Sequence, residues 1–139
     1  MLSDMARGFL EKNEMGVFTT FRRDGGAQMS VVTCGLYGNG MAFTADRHRA
    51  KMLNVKRNPK CSLLISQRDW WGYVVLEGHA EVIGEDNTDP EELRVALRDV
   101  YRSAAHKDHP NWEEYDEVMK ADRREIIVVV PERVYGSAL

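Results

Sequence analysis

Residues 15–45 limit the folds that are open to this chain. In the segment MGVFTTFRRDGGAQMSVVTCGLYGNGMAFTA, β-branched and aromatic residues are interrupted at Asp24-Gly25-Gly26 and at Gly38-Asn39-Gly40. Short glycine-rich interruptions between β-prone runs are typical of hairpin turns. The segment therefore predicts three antiparallel strands joined by two tight turns.

Three further β-prone segments follow. KCSLLISQ and YVVLEGHAEVIG predict strands four and five, and REIIVVVPERVYG predicts a sixth strand. The apolar run of the sixth strand is uninterrupted, which predicts burial on both of its faces. Six strands with helices inserted late in the chain favour an α+β fold, a small closed antiparallel β-barrel with short peripheral helices. We expect one domain over residues 1–139, and a barrel would remove the exposed edges of such apolar strands.

The remaining segments predict helices. Residues 3–13 predict a short helix with Ser3 as its N-cap. Residues 48–57 predict a second helix that ends before Asn58-Pro59, because the residue before a proline is held out of the α region. After residue 85, many carboxylates and a helical spacing predict two more helices, the first starting at Asp89-Pro90 and the second at NWEEYDEVMKA. The apolar stripe on the first of these two consists of Leu93, Leu97, Val100 and Tyr101.

Composition and charge exclude several classes of protein. The chain has 139 residues, 43% apolar and 29% charged, which is ordinary for a globular domain. No apolar run approaches the length of about 20 residues that a membrane span needs, and the charged N-terminus does not resemble a signal peptide. A formal net charge of −3 argues against general nucleic-acid binding. Cys34 and Cys61 each lie in an apolar run, so we expect buried reduced thiols and a cytoplasmic location.

No catalytic motif stands out. His106 and His109 have an HxxH spacing, but they lie in a charged connection without further ligands, so no metal site is predicted. There is no GxSxG motif, and the carboxylates of residues 85–122 fit a solvated helix face. No catalytic residue is therefore assigned. The rings of Trp70-Trp71 fit either core packing or contact with a ligand, and the residues alone leave that choice open.

A basic segment carries more information. RHRAKMLNVKRNP, residues 47–59, contains five Lys or Arg residues out of thirteen. In a helix that begins near His48, Arg49 and Lys51 would lie in the first turn, where the macrodipole is already positive and cations are unfavourable. An external anion would complete this arrangement, although a solvated surface is the alternative. Lys56 and Arg57 would lie in the last turn, where cations are favourable without a ligand.

The chain resembles a known family along most of its length. FTADRHRAKMLNVKRNPKCSLLI, WWGYVVLEGHAEVI and NWEEYDEVMKADRREIIVVVPERVYG are similar, in order and spacing, to the pyridoxamine 5′-phosphate oxidase-like split β-barrels. The last of these segments, and the Arg-Ala-Lys pattern of residues 49–51, resemble the branch that uses the deazaflavin coenzyme F420. Ala50 separates two cations that are adjacent in true pyridoxamine phosphate oxidases. The chain also ends in VYGSAL, where those enzymes have an arginine-rich segment, so the resemblance does not extend to vitamin oxidation.

The resemblance implies a homodimer with two cofactor sites at its interface. It assigns the phosphate and the ribityl-like tail of the cofactor to Thr44, Ala45, Arg49, Ala50, Lys51 and Asn54. It places the ring system along Val31, Val32 and Thr33, partly through backbone groups. Trp71 and Gly72 would reach the site from the partner subunit, although Gly72 replaces a small polar residue that is common there. Trp70 would then be a packing residue.

These implications set the functional expectation. In hydride transfer the cofactor carries the chemistry, which agrees with the lack of an obvious acid or nucleophile. We expect an F420-dependent oxidoreductase that transfers a hydride between the reduced deazaflavin and a small electrophilic organic substrate, without nucleic-acid or membrane partners. The alternatives are an FMN-dependent oxidase or reductase of the same fold, and a non-catalytic protein that binds a flavin-type or haem-type cofactor.

Overall fold

The computed structural model describes residues 2–139 and shows a curled antiparallel sheet with four helices. The sheet has seven strands, not the predicted six, in the order β2-β1-β5-β6-β7-β4-β3. The strands are β1 Met15–Phe21, β2 Ala27–Thr33, β3 Gly35–Tyr37, β4 Gly40–Asp46, β5 Lys60–Ser66, β6 Tyr73–Ile83 and β7 Arg124–Tyr135. The helices are α1 Asp4–Lys12, α2 Ala50–Arg57, α3 Pro90–Ala105 and α4 Trp112–Ala121.

The extra strand arises at Cys34. The segment predicted as one middle strand changes partner there, because Ala27–Thr33 pairs with β1 whereas Gly35–Tyr37 pairs with β4. The backbone N–H of Cys34 donates to the carbonyl of Glu14 at 2.7 Å between these two pairings. Strands β2 and β3 are the two edges of the sheet, yet a single residue joins them. The sheet must therefore curl until its edges approach.

The barrel is not closed by hydrogen bonds, which corrects the expectation of a closed barrel. β2 pairs only with β1, and β3 only with β4, so an open seam separates β2 from β4. Inside the curl, the rings of Phe18 and Phe43 meet edge to face at a centroid distance of 4.8 Å. This contact joins β1 to β4 across the interior, so side-chain packing supports the fold where backbone pairing is missing.

Two apolar cores lie on opposite faces of β7. Ile127 and Val129 point into the curled sheet, whereas Ile126 and Val128 pack against α3 and α4. All four side chains are buried, which confirms the prediction for the sixth predicted strand. The outer core also contains Leu97, Val100 and Tyr115, with Leu93 and Tyr101 partly buried beside them. The predicted apolar stripe of α3 therefore faces the sheet.

The helix boundaries follow local capping chemistry. The side-chain oxygen of Ser3 accepts a hydrogen bond from the backbone N–H of Ala6 at 3.1 Å, as an N-cap does. Asp89 caps α3 in the same way through the N–H groups of Glu91 and Glu92. α2 begins at Ala50, two residues after the predicted start, because the side chain of Asp46 accepts from the N–H of His48 and holds a turn there.

Both cysteines are free and buried, as expected. Burial raises the pKa of the Cys61 thiol to about 12 and also raises that of Cys34. Both thiols are therefore protonated and unreactive near neutral pH. Over residues 2–139, no group of His, Cys, Asp or Glu side chains could hold a metal ion. None of the described helices is long and apolar enough to cross a membrane.

Candidate cofactor site

A cleft of about 500 Å³ opens at the seam between β2 and β4. We call it the seam cleft. One wall is formed by the end of β2, the other by β4 and the first residue of β7, and the start of α2 closes one end. Its lining residues are Val31, Val32, Thr33, Phe43, Thr44, Ala45, Asp46, Arg49, Lys51 and Arg124. The structure thus brings seven of the eleven sequence-predicted site residues into one cleft.

Backbone geometry places Arg49 and Lys51 at the start of α2. Arg49 is the N-cap residue, and its carbonyl accepts hydrogen bonds from the N–H groups of Met52 and Leu53, each at 3.0 Å. No side chain caps this helix, and its first turn contains no acidic residue. Backbone N–H groups at such an end lack intrahelical partners. The free N–H groups at the start of α2 therefore have no anionic side chain of the helix itself as a partner.

The cations of the seam cleft crowd one another. Burial, followed by the nearby charges of Arg49 and Arg124, lowers the pKa of the Lys51 ammonium. Among residues 2–139, no carboxylate forms an ion pair with Arg49 or Lys51. The one carboxylate of the lining, Asp46, holds the turn before α2. The cleft therefore has an excess of positive charge, which suits an anionic group.

Arg124 is a lining residue that sequence analysis missed. It begins β7 and lies opposite Asp46 in the β4–β7 ladder. Its Nη1 donates to the carbonyl of Thr44 at 3.4 Å, and its buried Nε has no hydrogen-bond partner. Nothing local in the sequence could assign it to the site, because Thr44 and Arg124 are 80 positions apart and meet only through strand register.

The described lining of the seam cleft has one exposed apolar side chain, Val31, at its rim. Val31 is 68% exposed at the rim, whereas Val32 is buried and Thr33 is exposed on the same strand. On the facing strand, Ala45 is buried and Thr44 is half-buried. An apolar rim beside a basic end suits a ligand with a flat ring system and a charged tail.

Two residues predicted for the tail lie outside the lining. Asn54 is buried, and its side-chain amide donates to Thr20 Oγ1 at 3.0 Å. Its side-chain oxygen accepts from Arg57 Nη1 at 3.2 Å. These bonds tie α2 to β1, so the structure places Asn54 in a supporting position behind the cleft. Ala50 begins α2 and is exposed, and its side chain does not line the cleft.

Trp71 and Gly72 lie on the turn between β5 and β6 and do not line the seam cleft. The Trp71 ring is 83% exposed, although its backbone N–H donates to the Asp69 carboxylate at 3.0 Å. An added Cβ at Gly72 would lie 2.5 Å from Cδ of Gln67, the end of a flexible side chain that can move aside. The turn presents an uncovered indole.

The expectation that Trp70 packs into the core is wrong. Its side chain is 63% exposed, and its φ of 67° is in the left-handed region. This conformation directs the ring outward, where it lines a second cleft of about 420 Å³ together with Met15, Gly16 and Val31. Val31 lines both clefts, so the apolar rim of the seam cleft continues towards Trp70.

The interpretation of Lys56 and Arg57 from the helix dipole alone is also incomplete. Lys56 Nζ lies 2.7 Å from Oε1 of Glu125, a carboxylate that is 1% exposed. Arg57 donates to the side chain of Asn54 and to the carbonyl of Phe21. Both cations already have protein partners, unlike Arg49 and Lys51. The basic segment therefore divides into a structural end and an end that faces the cleft.

The residues of the seam cleft fit a phosphorylated cofactor. Guanidinium and ammonium groups are the side chains that bind phosphate oxygens, and free N–H groups at a helix start add to them. The Arg124 guanidinium adds further donors, only one of which contacts a protein acceptor. Among the described lining residues none is a histidine or cysteine, so the cleft offers contacts to an anion and to a ring but no imidazole or thiolate for a metal.

A curled antiparallel sheet with an open seam and a basic cleft in that seam is a split β-barrel of the cofactor-binding type. The chain belongs to the pyridoxamine 5′-phosphate oxidase family, whose sequence profile matches residues 2–138. This match confirms the family resemblance found in the sequence.

Solved structures show the same fold. The conserved hypothetical protein Rv2991 of Mycobacterium tuberculosis aligns with a TM-score of 0.79 at 19% identity, over 98% of this chain and 84% of that one. An F420 reductase aligns with a TM-score of 0.66 at 23% identity, over 96% and 98% of the two chains. A heme binding protein from Mycobacterium smegmatis aligns with a TM-score of 0.68 at 19% identity, over 99% and 55%. At these identities the likeness shows the fold alone.

Proposed function

We propose that this chain is an F420-dependent oxidoreductase that acts on a small electrophilic organic substrate. The observation that carries the proposal is the position of Arg49 and Lys51, two cations without carboxylate partners at the start of α2, in a cleft with an apolar rim at Val31. Membership of the family and the fold shared with an F420 reductase support the choice of cofactor.

The protein side of the proposed reaction is binding and orientation. Arg49, Lys51 and the N–H groups at the start of α2 would hold the phosphate, with Thr44 and Ala45 beside them. Val31, Val32 and Thr33 would lie along the ring system. When bound, reduced F420 supplies a hydride to an electron-poor carbon or quinone, so the protein needs no nucleophile of its own.

A second copy of the chain would complete the site. Met15, Met29, Val31, Trp70 and Trp71 are each more than half exposed, and such a concentration of large apolar side chains usually marks an interface. Val31 connects this surface to the seam cleft. We propose a homodimer in which Trp71 and Gly72 of one subunit approach the cofactor of the other. An obligate interface of this kind should bury about 2,000 Å² or more.

Two alternatives remain as outcomes of the test. FMN carries a phosphate monoester, which the same cations could bind, so an FMN-dependent oxidase or reductase is the second candidate. A non-catalytic carrier of a flavin-type or haem-type cofactor is the third, and the fold shared with a heme binding protein is its support. We infer a cytoplasmic location from the two free thiols, which fit a reducing compartment.

Parallel titrations with F420, FMN and haem distinguish these functions. The proposal expects tight binding of F420, followed by oxidation of the reduced cofactor when quinones, conjugated carbonyls or tetrapyrroles are added. Tight binding of FMN without binding of F420 would overturn the choice of cofactor. Binding of F420 without turnover across the panel would assign the chain to cofactor storage.

A further inference from the structure

Arg124, like Arg49, has no carboxylate within hydrogen-bond distance in the part of the chain that the structure describes, unlike most of the arginines near it. Arg47, Arg94, Arg98, Arg102 and Arg123 each have a carboxylate in hydrogen-bond contact. The nearest carboxylate oxygen of Arg124 is Oδ2 of Asp122 at 3.9 Å from Nε, too long for a hydrogen bond. A guanidinium has five N–H donors, and here only a 3.4 Å contact with the Thr44 carbonyl uses one of them.

Arg124 borders two clefts, the seam cleft and one of about 640 Å³ between α3 and α4. In the seam cleft it lies with Arg49 and Lys51, and its charge is close enough to lower the pKa of Lys51. Among the described residues, only the Thr44 carbonyl lies within hydrogen-bond distance of the Arg124 guanidinium. The unused donors and the crowded charges both indicate a missing anion at this position.

Arg124 also lies on a different element from the other two cations. β7 pairs with β4, and its first residue lies opposite Asp46 of that strand. Arg49 and Lys51 lie at the start of α2, which closes one end of the cleft. Cations on two separate elements can contact two sides of one anionic group, which a single helix end cannot do.

We propose that Arg124 is a third anion contact of the seam cleft and that it makes the cleft selective for a ligand end with two or more negative charges. The inference rests on the proposed function, since it concerns the charged end of the same cofactor. Three cations line the cleft against one carboxylate, Asp46, so two positive charges have no counter-charge in the described lining. A single negative charge would leave the cluster with excess positive charge. A phosphate monoester dianion, or a phosphodiester with a carboxylate beside it, would balance it better.

The test compares Arg124→Gln with Arg123→Gln. The control removes the same charge one residue away, where the guanidinium is bound to Glu85. FMN, riboflavin and F420 are titrated into each protein, with riboflavin as the ligand that lacks a phosphate. We expect Arg124→Gln to weaken FMN or F420 binding about tenfold or more, and to leave riboflavin unchanged. Arg123→Gln should bind like the wild type.

Further measurements separate the possible outcomes. A greater loss for FMN assigns Arg124 to the phosphate itself, and a greater loss for F420 assigns it to carboxylates of the tail. Arg124→Lys keeps the positive charge but not the planar guanidinium, so it should bind FMN and F420 with intermediate affinity. This variant checks that Arg124→Gln has not simply misfolded. If Arg124→Gln binds both phosphorylated ligands like the wild type, the inference is overturned and the proposed function stands.

Inorganic pyrophosphate keeps the inference testable if the proposed function fails. Should the wild type bind neither F420 nor FMN, the cofactor assignment is lost, but a polyanion can still occupy the three cations. Pyrophosphate should then raise the melting temperature of the wild type and of Arg123→Gln more than that of Arg124→Gln. Equal stabilisation of all three proteins would overturn the role of Arg124.

Discussion

Lys56 Nζ at the end of α2 lies 2.7 Å from Oε1 of Glu125 on β7. The other oxygen of this carboxylate accepts from the backbone N–H of Glu85 at 2.9 Å. Gly84 permits this approach, since a Cβ there would lie 2.2 Å from the same oxygen. One buried carboxylate thus fixes α2 to the strand that begins with Arg124. This contact sets the position of Arg49 and Lys51 relative to Arg124.

Lys56→Ala should therefore destabilise the protein. Removal of the ammonium leaves the carboxylate of Glu125, 1% exposed, without its counter-charge. Loss of one partner of a buried pair costs about 3 kcal/mol of unfolding free energy. The double variant Lys56→Met with Glu125→Gln should recover much of that loss, because no charge is then left uncompensated. Urea unfolding of the three proteins measures this, and a Lys56→Ala midpoint equal to the wild type would contradict the structural role.

Lys51→Ala should behave in the opposite way. Burial and two neighbouring cations disfavour the charged form of Lys51 in the free protein. The loss of this cation should leave the unfolding free energy unchanged or raise it by about 0.3–1 kcal/mol. Cofactor binding should weaken roughly 10- to 100-fold, since one charged donor to an anion is lost. Titration calorimetry and thermal melts of the same preparations give both numbers.

Lys107→Ala is the matched control for that variant. Lys107 is exposed on the connection between α3 and α4 and does not line the seam cleft. Its removal changes the net charge by the same amount and should alter neither the unfolding free energy nor the affinity for the cofactor. A Lys51→Ala protein that binds like the wild type and melts earlier would show that the segment is only a structural surface.

Cofactor affinity should fall at alkaline pH. Burial, then Arg49 and Arg124, lower the pKa of Lys51 in the free protein, and a bound phosphate favours the charged form and raises that pKa again. The complex therefore holds the Lys51 proton more tightly than the free protein, and affinity decreases as pH rises through the pKa of the free protein. Lys51→Arg should flatten this decrease, because arginine stays protonated. An equally steep decrease in Lys51→Arg would assign the titration to another group.

The proposed dimer can be tested on β2. Met29 is 63% exposed on this edge strand, and Met29→Lys would place a charge in the proposed interface. We expect sedimentation velocity at low micromolar concentration to show a dimer for the wild type and a monomer for Met29→Lys. Val95→Lys is the control, because Val95 is 45% exposed on α3 and lies away from this surface. A wild type that sediments only as a monomer would remove the two-subunit site from the account.

Local signals in the sequence predicted the parts of the fold that depend on neighbouring residues. The cap at Ser3, the helix start at Asp89-Pro90 and the two-faced burial of residues 126–129 were predicted correctly, because each depends on side chains close in sequence. The partner change at Cys34 was missed, since one residue between two β-prone runs gives no turn signal.

Long-range register explains what was missed in the site. Arg49 and Lys51 were found because their position at a helix start is unfavourable within the helix itself. Arg124 and the partner of Lys56 could not be found in this way. The Lys56–Glu125 contact spans 69 positions and depends on where α2 meets β7. Trp70 was misassigned because its residue type does not indicate a left-handed backbone, and this backbone turns the ring outward.

A crystal structure of the protein with F420 tests the central claim most directly. The account predicts that the cofactor phosphate lies in the seam cleft, with oxygens in hydrogen-bond contact with Lys51 and with the N–H groups at the start of α2. The principal competing position is a cleft of about 640 Å³ between α3 and α4, whose apolar side includes Leu93, Leu97 and Met119. A phosphate bound there, with no ligand beside Arg49 and Lys51, would contradict the account.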